Sequence, residues 1–179
     1  MKHTISVLVE NEFGVLARVS SLFSGRGFNI ESLCVAETMD PTVSRITLVT
    51  SGNEQIIEQI LKQLNKLVAV IKVVDMTKGD FIDRELVLIK VAAQDSTKTE
   101  ILRLVDIFRG KIVDVSQNTY TIEATGDDGK VKAIIDLLRP LGIEEIARTG
   151  KVAMSRGALT LKEAKKIRQG VENAGVLRS

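Results

Sequence analysis

Few residues of this 179-residue chain are of the types that carry catalytic or metal chemistry. His3 is the single histidine and lies at the start of a predicted strand, with no cysteine or second histidine nearby to complete a metal site. Cys34 lies within another predicted strand, which indicates a packed small apolar side chain rather than a nucleophile. Gly25 and Gly27 fit neither a GxGxxG nor a Walker pattern. We therefore expect no catalytic residue and no metal site.

The first strand-to-helix junction, Val9-Glu10-Asn11-Glu12-Phe13-Gly14-Val15-Leu16, is the segment best suited to a small polar ligand. Free N–H groups at a helix start attract a carboxylate, and Gly14 lets the backbone turn tightly and the ligand approach. The Asn11 amide both donates and accepts, which matches the charged ends of an amino acid, and Glu10 and Glu12 suit its ammonium group. A turn in which Asn11 caps the helix explains the same residues about as well.

The hydrophobic pattern predicts the elements that position this loop. Alternation over 5–9 predicts a strand, and the spacing of Val15, Val19 and Phe23 predicts a helix. Strands at 28–35 and 43–50, a helix capped by Asn53 and a strand at 68–74 follow. The same order then recurs as a strand at 86–92, a helix with a Thr97-x-x-Glu100 capping box, strands at 112–116 and 120–124, a helix ending before Pro140, and a strand at 143–147.

This recurrence predicts an α/β (α+β) chain of two tandem ferredoxin-like βαββαβ domains. We expect domains at 1–76 and 85–157, a linker at 77–84 and a tail at 158–179 with a helix that starts near Thr160 and ends near Gly175. In each domain the two helices should cover one face of an antiparallel sheet. The opposite face is expected to be apolar and to be covered by another domain or chain.

Composition excludes several other classes. A formal net charge of +2 argues against nucleic acid as the main partner. The chain has five Phe, one Tyr and no Trp, and none lies in the predicted strand 43–50, so it lacks the base-stacking residues of an RNA-recognition module. It contains no apolar run of membrane-spanning length, and its single cysteine suits a reducing compartment. A cytoplasmic protein that contacts no membrane is therefore expected.

Two motifs resemble one known family. Asn11-Glu12-Phe13-Gly14-Val15-Leu16 followed by Leu22-Phe23-Ser24-Gly25-Arg26-Gly27-Phe28-Asn29-Ile30-Glu31-Ser32-Leu33 is similar to the ACT domain of acetolactate synthase (acetohydroxyacid synthase) small regulatory subunits. Glu145-Ile146-Ala147-Arg148-Thr149-Gly150 and Met154-Ser155-Arg156-Gly157 are similar to the C-terminal signature of that family. The resemblance covers about residues 1–157.

The resemblance implies a regulatory subunit without catalytic residues of its own, in which residues 1–76 form the effector-binding ACT domain. Such a subunit activates a catalytic large subunit and confers feedback inhibition by a branched-chain amino acid, usually valine. The implied cofactors, thiamine diphosphate, Mg and FAD, belong to that catalytic partner and not to this chain. The implied valine site, completed in a homodimer, combines one chain's Asn11, Gly14, Val15 and Leu16 with the partner chain's Asn29 and Ile30, at the start of the second strand.

Two other classes of function are weighed against this one. An amino-acid-responsive transcription regulator with the same sensor domain needs a DNA-binding element, for which the basic tail is the only spare segment. Its lysines and arginines are more typical of a solvated helix face. For an enzyme in its own right, the chain lacks a nucleophile–base pair or a metal constellation.

One residue departs from the family pattern. Cys34 occupies a position where relatives have a hydroxyl residue, so the affinity for the effector can differ.

Overall fold

Secondary structure follows the order strand, helix, strand, strand, helix, strand twice along the chain. The structure, a computed structural model, describes residues 1–158, 160 and 161. These divide into two units, Met1–Ile82 together with the segment from Ala153, and Asp83–Val152. The predicted tail helix lies outside the described residues, apart from Thr160 and Leu161 at its start.

The first unit contains β1 (Lys2–Glu10), α1 (Val15–Ser24), β2 (Ser32–Glu37), β3 (Val43–Ser51), α2 (Glu54–Leu64), β4 (Val70–Asp75) and a 3₁₀ turn (Met76–Lys78). Its four strands form an antiparallel sheet in the order β2-β3-β1-β4. This order confirms the ferredoxin-like topology, with the first strand central and the second strand at an edge.

Both helices of the first unit pack on one face of its sheet. Alternate residues of β1 and β3 face them in register, with Ile5 opposite Leu48 and Val7 opposite Ile46. Each of these four side chains is fully buried in one core together with side chains from α1 and α2, including Val19, Phe23, Ile60 and Leu64. Asn53 caps α2 as predicted, because its side-chain oxygen accepts a hydrogen bond from the Ile56 N–H at 2.9 Å.

The other face of this sheet is mixed rather than uniformly apolar as expected, since the buried apolar side chains of Leu8 and Val49 lie on it beside polar ones. Ser6 lies opposite Thr47 in the register, and both are buried. The Arg45 guanidinium donates to Ser6 Oγ at 3.0 Å and to the Ala153 carbonyl at 2.6 Å. Burial lowers the pKa of Arg45. The Ala153 carbonyl is therefore tied to this face through Arg45.

The second unit repeats this order of elements. They are β5 (Phe81–Ala92), α3 (Lys98–Ile107), β6 (Lys111–Val115), β7 (Thr119–Gly126), α4 (Asp128–Leu138), a 3₁₀ turn (Arg139–Leu141) and β8 (Ile143–Arg148). The strands are arranged in the order β6-β7-β5-β8. One core of buried side chains joins the helices to Ile89 and Ile122, which lie opposite each other in the sheet. A short strand, β9 (Val152–Ser155), begins at the last residue of this unit, continues in the first unit and pairs with β5.

Several predicted boundaries differ from the structure. The predicted linker, 77–84, is mostly regular secondary structure. Its first residues belong to the 3₁₀ turn, and β5 begins at Phe81. The predicted capping box is wrong: the Thr97 hydroxyl donates back to the Gln94 carbonyl at 3.2 Å and does not cap α3. The strand β9 has no counterpart in the prediction, since four residues give too short a period to recognise. No described helix is long and apolar enough to span a membrane.

Two adjacent leucines of α4 provide a test of the second unit's core. Leu138 is fully buried, whereas Leu137 is 48% exposed. We expect Leu138→Ala to lower the free energy of unfolding by about 2–5 kcal/mol, because it removes packed methyl groups and leaves a cavity. Leu137→Ala should cost much less, and urea unfolding followed by circular dichroism measures both. Equal losses in the two variants would contradict this packing of α4.

Candidate functional site

The loop after β1 is held by Asn11. Its backbone N–H donates to the Thr42 carbonyl at 2.7 Å, and its Nδ2 donates to the Pro41 carbonyl at 2.9 Å and to Glu37 Oε1 at 3.2 Å. These bonds tie the β1–α1 loop to the β2–β3 hairpin. Helix α1 has no side-chain cap, so the alternative in which Asn11 caps the helix is wrong. Asn11 Oδ1 accepts no hydrogen bond from any described residue and is available to a donor.

Gly14 and the start of α1 form the second part of the candidate site. Gly14 has φ of 81°, a left-handed conformation that a side chain strains, and a Cβ placed there meets no atom within 4 Å. The first bond of the helix joins the Arg18 N–H to the Gly14 carbonyl at 3.0 Å. The N–H groups of Leu16 and Ala17 therefore project from the helix start, where a carboxylate could accept from them. Val15 is buried in the core, whereas Leu16 is 39% exposed.

Asn29 and Ile30 lie before β2, not at its start as expected, because the strand begins at Ser32. The segment is nevertheless fixed, since the Thr50 hydroxyl donates to the Asn29 carbonyl at 2.7 Å. The Asn29 side chain is exposed, and Ile30 is partly buried against the core.

The two groups of candidate residues lie at opposite ends of the first sheet. Asn11 bonds to Thr42, the residue before β3, and Asn29 bonds to Thr50 near the end of that strand. Eight residues of extended chain at about 3.3 Å each separate these two points by roughly 25 Å. Within one chain, the structure therefore brings Asn11, Gly14, Val15 and Leu16 together and leaves Asn29 and Ile30 apart from them.

Sequence reasoning missed Glu31, which holds the segment that carries Asn29 and Ile30. Ser51 Oγ donates to Glu31 Oε1, and Lys2 Nζ lies 2.9 Å from Glu31 Oε2. The hydrogen bond from Ser51 and the bond and charge of Lys2 lower the pKa of Glu31. These partners come from β1 and β3, so only the folded sheet reveals them.

The single histidine of the chain makes a buried contact with an aspartate in the first unit. His3 Nδ1 lies 3.1 Å from Asp75 Oδ2, and both side chains are buried. A cavity of about 510 Å³ lies beside His3 and Thr77 and contains none of the six candidate residues. Cys34 is partly buried. Within residues 1–158, 160 and 161, no group of three or more His, Cys, Asp or Glu side chains could hold a metal ion.

The C-terminal signature residues have structural contacts in the second unit. Arg148 donates from Nε to Glu85 Oε1 at 2.9 Å and from Nη2 to Glu85 Oε2 at 2.6 Å. Glu85 is buried, and its hydrogen bonds raise the pKa of Arg148. Thr149 bonds to the backbone of Leu86, so the end of β8 is fastened to β5 by side chains as well as by the strand ladder.

Comparisons with known proteins agree with this fold. A model of the AHAS small subunit-like ACT domain matches residues 5–72, and a model of the small subunit of acetolactate synthase matches residues 84–157. The first unit is thus of the class of ACT domains, and it has the βαββαβ order described above.

Relatives with similar lengths extend the match to both units. A probable acetolactate synthase small subunit of Archaeoglobus fulgidus is 56% identical over 157 residues, which are 88% of this chain and 98% of the relative. The acetolactate synthase small subunit of Aquifex aeolicus is 52% identical over 163 residues, covering 90% of this chain and 84% of the relative. The crystal structure of the Thermotoga maritima acetolactate synthase small subunit superimposes with a TM-score of 0.80 at 47% identity, over 89% of this chain and 99% of that one. This chain belongs to the family of acetolactate synthase small subunits.

The Glu31 contacts generate a pH prediction. Because its folded-state pKa is lowered, the stability that Glu31 contributes is present above the usual glutamate pKa and is lost as the pH falls through the lowered value. Ser51→Ala should move the titration midpoint of Glu31 up toward its usual range, as measured by NMR of the side-chain carboxyl carbon. Ser21→Ala, on the exposed side of α1, should leave it unchanged. An unaltered midpoint in Ser51→Ala would contradict the bond.

Proposed function

We propose that this chain activates a catalytic acetolactate synthase subunit and makes that subunit sensitive to valine, within branched-chain amino-acid biosynthesis. The family and the tandem ferredoxin-like units support a regulatory subunit. In this proposal thiamine diphosphate, Mg and FAD bind to the catalytic partner. The observation that carries the effector site is the placement of the candidate residues beyond the two ends of one edge strand, β2.

A two-fold dimer would reunite the two parts of the site. The strand β2 lies at the sheet edge, so its outer side can pair with a second copy. Antiparallel pairing of two β2 strands about a two-fold axis places the start of each strand beside the end of the other. The partner's Asn29 and Ile30 would then lie near the hairpin residue Glu37, to which Asn11 bonds. Each dimer would hold two equivalent sites.

Each polar end of valine has a group of matching chemistry in this arrangement. The carboxylate would accept hydrogen bonds from the N–H groups of Leu16 and Ala17 at the uncapped start of α1. The ammonium group would donate to Asn11 Oδ1, near the carboxylates of Glu10 and Glu12. The exposed part of Leu16 and the partner's Ile30 would contact the isopropyl group. The relatives reported above favour this function over that of a transcription regulator.

Gly14→Asp should abolish valine binding, with a dissociation constant raised about a hundredfold or more, because it places a carboxylate where the ligand's own carboxylate would bind. Isothermal titration calorimetry measures the affinity. Gly14→Asn, which tolerates the left-handed backbone without adding charge, should bind more tightly than Gly14→Asp. Gly79→Asp adds the same charge at an extended, unobstructed glycine and should bind like the wild type. Unchanged affinity in Gly14→Asp would contradict the site.

The activity itself is tested by reconstitution. Mixing the chain with its cognate catalytic subunit should raise the rate of acetolactate formation, and valine should reverse that increase. The matched control is the catalytic subunit with valine alone, whose rate should not respond if sensing lies in this chain. Failure of the chain to stimulate any cognate catalytic subunit would contradict the proposed function.

A further inference from the structure

Three loops meet at one end of the first sheet. The β1–α1 loop is joined to the β2–β3 hairpin by the bonds of Asn11 to Pro41 and Thr42. The α2–β4 loop is joined to the same end, because the Glu10 N–H donates to the Ala69 carbonyl at 2.8 Å. The tips of these loops therefore lie at the same end of the sheet, although they are far apart in sequence.

Each of these loops carries one large apolar side chain in solvent. Phe13 is fully exposed, Met39 is 89% exposed and Val68 is 88% exposed. These are the three most exposed large apolar side chains among the residues that the structure describes. Singly exposed apolar residues are common on protein surfaces, but three such side chains at one end of a sheet offer a partner protein several apolar contacts at once.

The charges around these tips are predominantly acidic. The three loops and the adjoining strand ends carry four carboxylates, Glu10, Glu12, Glu37 and Asp40, and one basic residue, Lys66. An isologous contact between two copies of this surface would place carboxylates against carboxylates, which costs free energy. The surface instead complements a partner that has an apolar pocket with a basic rim.

We propose that the Phe13, Met39 and Val68 patch is the surface through which this chain docks on the catalytic subunit. This inference rests on the proposed function and identifies the contact within it. The apolar tips enter a pocket of the catalytic subunit, and lysines or arginines around that pocket face the four carboxylates.

The same surface provides a route from effector to partner. Phe13 lies between Asn11 and Gly14, the candidate effector residues, and the Asn11 side chain holds the hairpin that carries Met39. A ligand that hydrogen-bonds to Asn11 and displaces it moves Phe13 and Met39 relative to Val68. Valine then biases docking geometry by its different affinity for two arrangements of these loops.

The double variant Met39→Ser/Val68→Ser tests the patch in the full chain, and it avoids every candidate valine contact. The matched control is Ile107→Ser/Val115→Ser, which removes two exposed apolar side chains from the second unit. We expect the patch variant to raise the concentration needed for half-maximal activation of the cognate catalytic subunit about tenfold or more. The control variant should stay within about twofold of the wild type. Both variants should bind valine with wild-type affinity in calorimetry, which also shows that the first unit is folded.

The outcomes separate this inference from the proposed function. If the wild-type chain activates and the patch variant activates equally well, the patch is wrong and the proposed function stands. If the patch variant activates normally but sediments as a smaller assembly, the patch joins copies of this chain, which also overturns the inference. If the control variant loses as much activation as the patch variant, the loss is not specific to the patch, and the inference is overturned. No activation by the wild-type chain overturns the proposed function, and the patch with it.

Discussion

The position of β2 at the edge of the first sheet is the constraint on which the candidate site depends. The strand pairs with β3 along one side, and the hydrogen-bond register fixes which residues adjoin each of its ends. That register places Asn29 and Asn11 at opposite ends, so neither can complete a site with the other in one chain. A site built this way requires a second copy, and ligand binding then becomes sensitive to how the two copies meet.

The contacts of Asn11 join the proposed effector loop to the hairpin that carries Met39. Both hydrogens of its amide are used to hold the β2–β3 hairpin, which leaves only the carbonyl oxygen for a ligand. The loop that would bind the effector therefore cannot move without the hairpin. Since Met39 is exposed on that hairpin and Phe13 on that loop, a local change near Asn11 reaches both apolar tips directly.

The second unit repeats the topology, but Arg148 and Thr149 of its C-terminal signature make structural contacts. Glu85 and Arg148 form a bidentate pair with the carboxylate buried, and such a pair is costly to break because one charge would be left unsatisfied. Nothing comparable to the open Asn11 carbonyl or the left-handed Gly14 occurs at the start of α3, where Thr97 turns back to Gln94. The two units share a fold, and their loops differ in what they can bind.

Local sequence by itself determined most of the elements, because the alternation of Ile5, Val7 and Val9 and the helical spacing of Val15, Val19 and Phe23 are properties of neighbouring residues. It also singled out Asn11 and Gly14 as part of a candidate binding loop. It misjudged the Thr97 cap and the start of β2, where hydrogen bonds to other segments decide the outcome. Only the tertiary structure decided which distant groups meet: Glu31 with Lys2 and Ser51, Glu85 with Arg148, and three apolar tips at one end of a sheet. Such contacts join residues far apart in the chain, and strand order and register set them, which no local pattern encodes.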